Sequence, residues 1–209
     1  MANVALGSVV SFWRYPVKSM MGEEVNATDL MEHGLLGDRA YALVGTSDGK
    51  AATAKNPRKW PGLFDFRATF AEPVRPGARV PSVRIVLPDG TTVTSDQGDL
   101  NQILSKALNR EVTLRAAQHG AVKAEEYWPD LEGLDHRDTV TDFTLPEGTF
   151  FDIGMVHLLT TATLDPRHGD LRLDRVRNSP RRKRNDALSA VMNSLLRSRS
   201  GEMIHWRLG

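Results

Sequence analysis

The chain has 209 residues, 40% of them hydrophobic and 25% charged, a globular composition with room for one ordinary domain or two small ones. It contains no cysteine, which rules out disulfides, thiolate metal ligands and cysteine nucleophiles. It also lacks a membrane-length apolar run and a basic region ahead of an apolar N-terminal core, so a soluble, cytoplasmic protein with no membrane partner is expected. The net charge of +1 hides an asymmetry: residues 1–164 hold 16 Lys and Arg against 21 Asp and Glu, whereas 165–209 hold 11 against 5. Such a break marks either a basic arm for an anionic partner or an altered reading frame.

In chain order, Val4 to Tyr15, Arg39 to Val44 and Phe66 to Phe70 are short β-branched or aromatic segments separated by Gly, Pro and Asp breaks, the pattern of a barrel or sandwich. Val83 to Leu87 and Thr91 to Thr94 flank Pro88-Asp89-Gly90 and predict a hairpin whose Asp-Gly pair supplies positive φ. Leu100, Ile103, Leu104, Ala107 and Leu108 recur at helical spacing, so a short amphipathic helix is expected from Asp99 to Asn109, with Asp99 at the positive end of its dipole. Glu111 to Ala116 reads as a strand, and the acidic stretch Gln118 to Pro146 as a loop interrupted by Tyr127-Trp128. Phe150 to Thr161 is expected to return to a strand ending at Leu158-Leu159. Beyond it, Arg172 to Arg184 is dense in basic residues, and Leu188, Val191, Met192, Leu195 and Leu196 fit one amphipathic helix.

Three places offer chemistry. Pro16 fixes the backbone ahead of Lys18 and Ser19, which set an ammonium beside a hydroxyl and suit a phosphate; residue types alone favour the plainer account of a surface lysine beside a turn-forming serine. In Gly34-Leu35-Leu36-Gly37-Asp38-Arg39, Arg39 can present a guanidinium fork to an oxyanion, or Asp38 and Arg39 can simply stabilise a turn. Asn56 to Gly62 puts Arg58 and Lys59 beside Trp60 in what reads as a shaped surface loop. The six histidines have no short paired spacing, and His157, in an apolar stretch, reads as a hydrogen-bonded core residue. Asp130, Asp135 and Asp138 read as solvating a loop. No catalytic residue and no metal ligand is assigned.

Several ordered runs together carry a resemblance. Trp13 to Met20, Gly34 to Tyr41, Asn56-Pro57-Arg58 and Glu126 to Asp130 resemble the MOSC N-terminal β-barrel family, and Thr149 to Asp152 with His157 to Leu164 resemble the opening of the MOSC domain proper. The family includes the mitochondrial amidoxime-reducing component and the C-terminal domain of molybdenum cofactor sulfurases, and is also associated with pyridoxal phosphate binding. The resemblance implies molybdenum cofactor, the molybdopterin phosphate held by Lys18, Ser19 and Arg39, and Thr160 and Thr161 in a further cofactor-contacting segment. It implies reduction of N-hydroxylated small molecules with an unspecified redox partner, or sulfur transfer. The downstream cysteine that family members use at molybdenum is absent from this sequence. Arg175 and Arg177 match a later family segment only in part and are not assigned.

The fold expected is α+β and mostly β: a MOSC N-terminal β-barrel over 1–117, a linker and the start of a MOSC-core barrel over 118–164, and a divergent basic, partly helical tail over 165–209. On this reading the MOSC core is incomplete, through truncation or a frameshift, and any enzyme activity with it. Two other readings stay open: an anion- or nucleic-acid-binding module through the Arg-rich tail, disfavoured for nucleic acid by the scarcity of aromatics there, and a nonfunctional product.

Overall fold

The computed structural model describes residues 9–31, 34–118, 120–133, 136–152, 154 and 156–159, and the backbone of Ile204–Arg207. In chain order its elements are β1 (Phe12–Arg14), β2 (Glu23–Val25), β3 (Ala27–Met31), β4 (Gly34–Leu35), β5 (Tyr41–Gly45), β6 (Arg67–Phe70), β7 (Val83–Val86), β8 (Thr92–Thr94), α1 (Leu100–Leu108), β9 (Val112–Ala116), β10 (Lys123–Trp128), β11 (Thr139–Thr144) and β12 (Ile204–Arg207). The described fold is therefore mostly β with one α-helix. Of the chain's two units, the first, Met1–Met155 with His205–Gly209, holds nearly all of these residues.

Antiparallel pairings join β1 to β2, β3 to β4, β5 to β9, β6 to β7 to β8, and β10 to β11, while β12 borders β3. The segment Tyr15–Met21 ties separate sheets together. Tyr41 N–H donates to the Pro16 carbonyl at 3.0 Å and Lys18 N–H to the Tyr41 carbonyl at 2.8 Å; farther on, Met21 N–H donates to the Phe66 carbonyl at 2.9 Å. One face of this segment is thus fixed against β5 and its far end against β6. Its proline suits such a position, since it has no N–H to leave unpaired. Gly22, just beyond, lies so close to β1 that a Cβ would come within 2.1 Å of the Arg14 carbonyl oxygen.

β5 separates two apolar clusters. Successive strand residues point to opposite faces, and here Leu43 joins the main core with Val17, Met20, Phe66, Ile85 and Leu104, whereas Ala42 joins a second cluster with Ala51, Ala124, Leu145 and Phe150. Fully burying each large side chain of these clusters contributes about 1.5–3 kcal/mol. Helix α1 closes the main core through Leu100 and Leu104 and ends on Asn109, whose φ of 50° is the left-handed conformation common at helix ends. Its Ser105 hydroxyl accepts the Val112 N–H at 3.0 Å and so ties α1 to β9.

Several expectations are corrected. In the β7–β8 connection only Gly90 has positive φ; Leu87 to Gly90 forms a turn closed by Gly90 N–H to the Leu87 carbonyl at 2.9 Å, with Pro88 at the position its fixed φ favours. Gln118 to Pro146 is largely a six-rung hairpin rather than a loop, from Lys123↔Thr144 to Trp128↔Thr139. Its charges obscured the alternation because they are neutralised by lysines far away in sequence: Lys50 Nζ lies 2.7 Å from both Glu125 and Asp142, and Lys59 Nζ 2.8 Å from Glu125. Lys59, read as a surface-loop residue, is in fact a strut of this network and also binds Asp48 at 2.6 Å. From Phe150 to Leu159 the described residues form no strand: Phe150 and Phe151 are both buried in succession, which a strand's alternation does not allow on a one-sided sheet, and Leu158 and Leu159 are exposed. His157 is exposed, not a core residue. The helix expected around Leu188 to Leu196 lies outside the described residues.

Candidate functional site

Lys18 and Ser19 are the central residues of a turn from Val17 to Met20, in which Met20 N–H reaches the Val17 carbonyl at 3.3 Å. Val17 enters the main core while Lys18 faces the second cluster, so the ammonium is carried inward. Its Nζ donates to the Phe150 carbonyl at 3.0 Å and pairs with Asp152 Oδ1, and the side chain is only 5% exposed. Burial pulls the Lys18 pKa below its ordinary value; Asp152 opposes that shift, and Lys55 and Arg39 add to it. The plainer account of Lys18 as a surface lysine is therefore set aside.

Arg39 reaches the same place from the other side of the Tyr15–Met21 segment. Its N–H donates to the Tyr15 carbonyl at 2.8 Å, and its guanidinium pairs with Asp38 and lies over the Tyr15 ring at 4.6 Å and the Phe151 ring at 5.2 Å. Asp38, buried, accepts the Tyr15 N–H at 2.6 Å. Burial pushes its carboxyl pKa up, against the pull of Arg39 and of that N–H. The Asp38–Arg39 pair thus stabilises the turn, with the guanidinium held between Asp38 and the two rings.

The backbone at these residues is unusual. Ser19 has φ 62° and Arg39 φ 49°, both left-handed conformations. The other non-glycine residues described with positive φ are Asn109 and Asp138, types that tolerate it. A serine and an arginine held there cost on the order of 1–3 kcal/mol each, and such strain clusters at functional sites. Ser19 Oγ accepts the Ala54 N–H at 3.0 Å, which leaves its own proton available.

Residue types had not pointed to two participants. Lys55 Nζ lies 3.5 Å from Asp152 Oδ2, 3.7 Å from Glu126 and 4.6 Å above the Phe143 ring. Asp152 is thereby shared between Lys18 and Lys55. The sequence signals were the concentration of cations at Lys55 to Lys59 and, for Asp152, its place in the run Thr149 to Asp152 that carries the resemblance; nothing local ties it to Lys18, some 130 positions away. Thr160 and Thr161, expected in the same site, lie outside the described residues, as do Arg175 and Arg177. Among the described residues no group of three or more His, Cys, Asp and Glu is arranged to hold a metal ion.

With this geometry in place, comparison with known proteins gives one decisive match: the MOSC N-terminal beta barrel domain, over residues 6–143. The chain belongs to that family. The MOSC N-terminal match takes in every element from β1 to β11 apart from the last residue of β11, and it includes Lys18, Ser19, Arg39 and Lys55 but not Asp152. No curated protein matches the sequence.

Proposed function

We propose that this MOSC-family chain binds the phosphate of a molybdopterin-type cofactor at Lys18, Ser19 and Arg39. The observation that carries the proposal is Lys18 itself: an ammonium 5% exposed, already gripping one carboxylate oxygen and one carbonyl, on a turn whose next residue is held at positive φ. A buried cation is costly unless it keeps an anionic partner, here the Asp152 carboxylate, and a position that holds a carboxylate oxygen suits the oxygen of another oxyanion. Arg39 supplies a second positive charge with a planar donor set, kept flat by Tyr15 and Phe151, and the free proton of Ser19 supplies a directional donor.

The residues fit the phosphate end of such a cofactor, and the sequence has no thiolate to offer its metal. The bound cofactor supplies the redox or sulfur-carrying chemistry associated with the family; this chain's residues bind and orient the anion. Calorimetric titration of a phosphorylated pterin into the full chain tests the reading. Lys18→Met and Arg39→Gln are each expected to weaken binding at least tenfold, about 1.4 kcal/mol or more, while Lys106→Gln on the exposed face of α1 leaves it unchanged. Equal affinity in all four proteins would sink the assignment.

A further inference from the structure

Asp152 is held on both sides by ammonium groups, Oδ1 against Lys18 and Oδ2 3.5 Å from Lys55, while the adjacent Phe150 carbonyl and Phe151 ring engage Lys18 and Arg39. Three cations from distant parts of the chain therefore converge on the segment 150–152. Building on the phosphate site proposed above, we propose that Asp152 is that site's internal counter-ion, seated where oxygens of a phosphate monoester bind, and that Lys55 is a third phosphate-binding cation, released to the ligand when Asp152 is displaced.

The burial of the partners decides which of them moves. Lys18 is only 5% exposed, too little for water to replace a lost partner, so it must keep an anion or lose the compensation for its desolvation. Asp152 is 30% exposed and lies outside any strand or helix, so rotating its carboxylate into solvent breaks no ladder and rehydrates the charge. Lys55, 37% exposed and also 3.7 Å from Glu126, is the more accessible of the two ammonium groups on the carboxylate. A phosphate monoester brings three acceptor oxygens and a charge of about −1.5 to −2 in place of one carboxylate charge, enough to satisfy Lys18 and Lys55 together. The exchange transfers no covalent bond: one anion leaves the two ammonium groups and another takes its place.

Inorganic phosphate titrated into the full chain at low salt measures this directly. Asp152→Asn, which keeps the shape but removes the competing charge, is expected to bind phosphate at least tenfold more tightly than the unsubstituted protein, and Lys55→Gln at least threefold more weakly. If Asp152→Asn binds equally or less well while Lys18→Met still abolishes binding, Asp152 is a structural partner, the inference is overturned and the phosphate site stands. If phosphate binds none of the proteins, both fall. Should Asp152→Asn fail to fold, the carboxylate carbon resonance of Asp152 in the unsubstituted, ¹³C-aspartate-labelled protein gives the answer: a shift on phosphate saturation supports displacement, and an unmoved resonance at saturation overturns it.

Discussion

Glu125 stands directly opposite Asp142 in the β10–β11 ladder, two like charges at a position where cross-strand neighbours repel. Lys50 Nζ resolves the conflict by sitting 2.7 Å from each carboxylate. The hairpin is thus conditional on a lysine from the segment after β5. Burial raises the Glu125 carboxyl, but the hydrogen bonds from Lys50 and Lys59 outweigh it and the net shift is downward.

Lys50→Gln should therefore destabilise the protein by about 1 kcal/mol at pH 7, since it removes the cation shared by the opposed carboxylates and leaves Glu125 with Lys59 alone. A carboxyl whose folded pKa is depressed contributes stability that is full above its unfolded value of 4.5 and is lost as pH falls through the folded value. The gap between variant and parent should accordingly close on acidification below about pH 4.5 and shrink in high salt. Denaturant melts across pH 3–7 check this; a gap independent of pH would show that Lys50 acts through its alkyl chain alone.

Gly22→Ala tests the approach of the two ends of the β1–β2 connection. The new Cβ meets the Arg14 carbonyl oxygen at 2.1 Å and the Tyr15 ring at 2.8 Å, and the first of these is backbone that is fixed within a ladder. A loss of about 2–4 kcal/mol is expected, with phosphate affinity falling as well because Tyr15 carries the stack on Arg39. Thermal melting and phosphate titration of the same sample read both effects.

How far this was legible from sequence depended on whether the deciding contact was local. The helix at Leu100–Leu108 and the β7–β8 hairpin declare themselves within a dozen residues, through apolar spacing and a Pro-Asp-Gly turn. The β10–β11 hairpin did not, because Glu125 and Asp142 look solvated until Lys50 and Lys59 are placed beside them. Lys18, Ser19 and Arg39 were singled out through their motifs, yet the burial of Lys18 depends on Phe150 and Asp152, more than 130 positions away. Positive φ at Ser19 and Arg39 has no signature in residue type, since neither residue favours it.

Arg39→Lys preserves charge but not shape. The guanidinium lies over two rings, Tyr15 at 4.6 Å and Phe151 at 5.2 Å, while pairing with Asp38; an ammonium cannot keep the flat stack and the fork together. Phosphate affinity is expected to drop about three- to tenfold, with a stability change under about 1 kcal/mol because Asp38 keeps a cation and its Tyr15 N–H. Unchanged affinity would reduce Arg39 to a turn-stabilising partner of Asp38.

Lys18→Met separates binding from stability. Burial is the largest influence on Lys18 and disfavours its charge, so an apolar side chain of similar length removes a penalty, while Asp152, 30% exposed, can rehydrate once its partner is gone. Stability at pH 7 should hold or rise by about 1 kcal/mol, roughly 2–4 °C in Tm for a chain of this size, as phosphate binding disappears. The pH dependence has a definite sign. A lysine with a lowered folded pKa penalises the fold fully below that value, and the penalty is relieved as pH rises through it toward the ordinary 10.5. The advantage of Lys18→Met over the parent should therefore be greatest near neutrality and shrink on the alkaline side, which melts from pH 7 to 10.5 would reveal. A loss of about 3 kcal/mol or more at pH 7 would instead make the Lys18–Asp152 pair a support of the fold, and phosphate binding a secondary use of it.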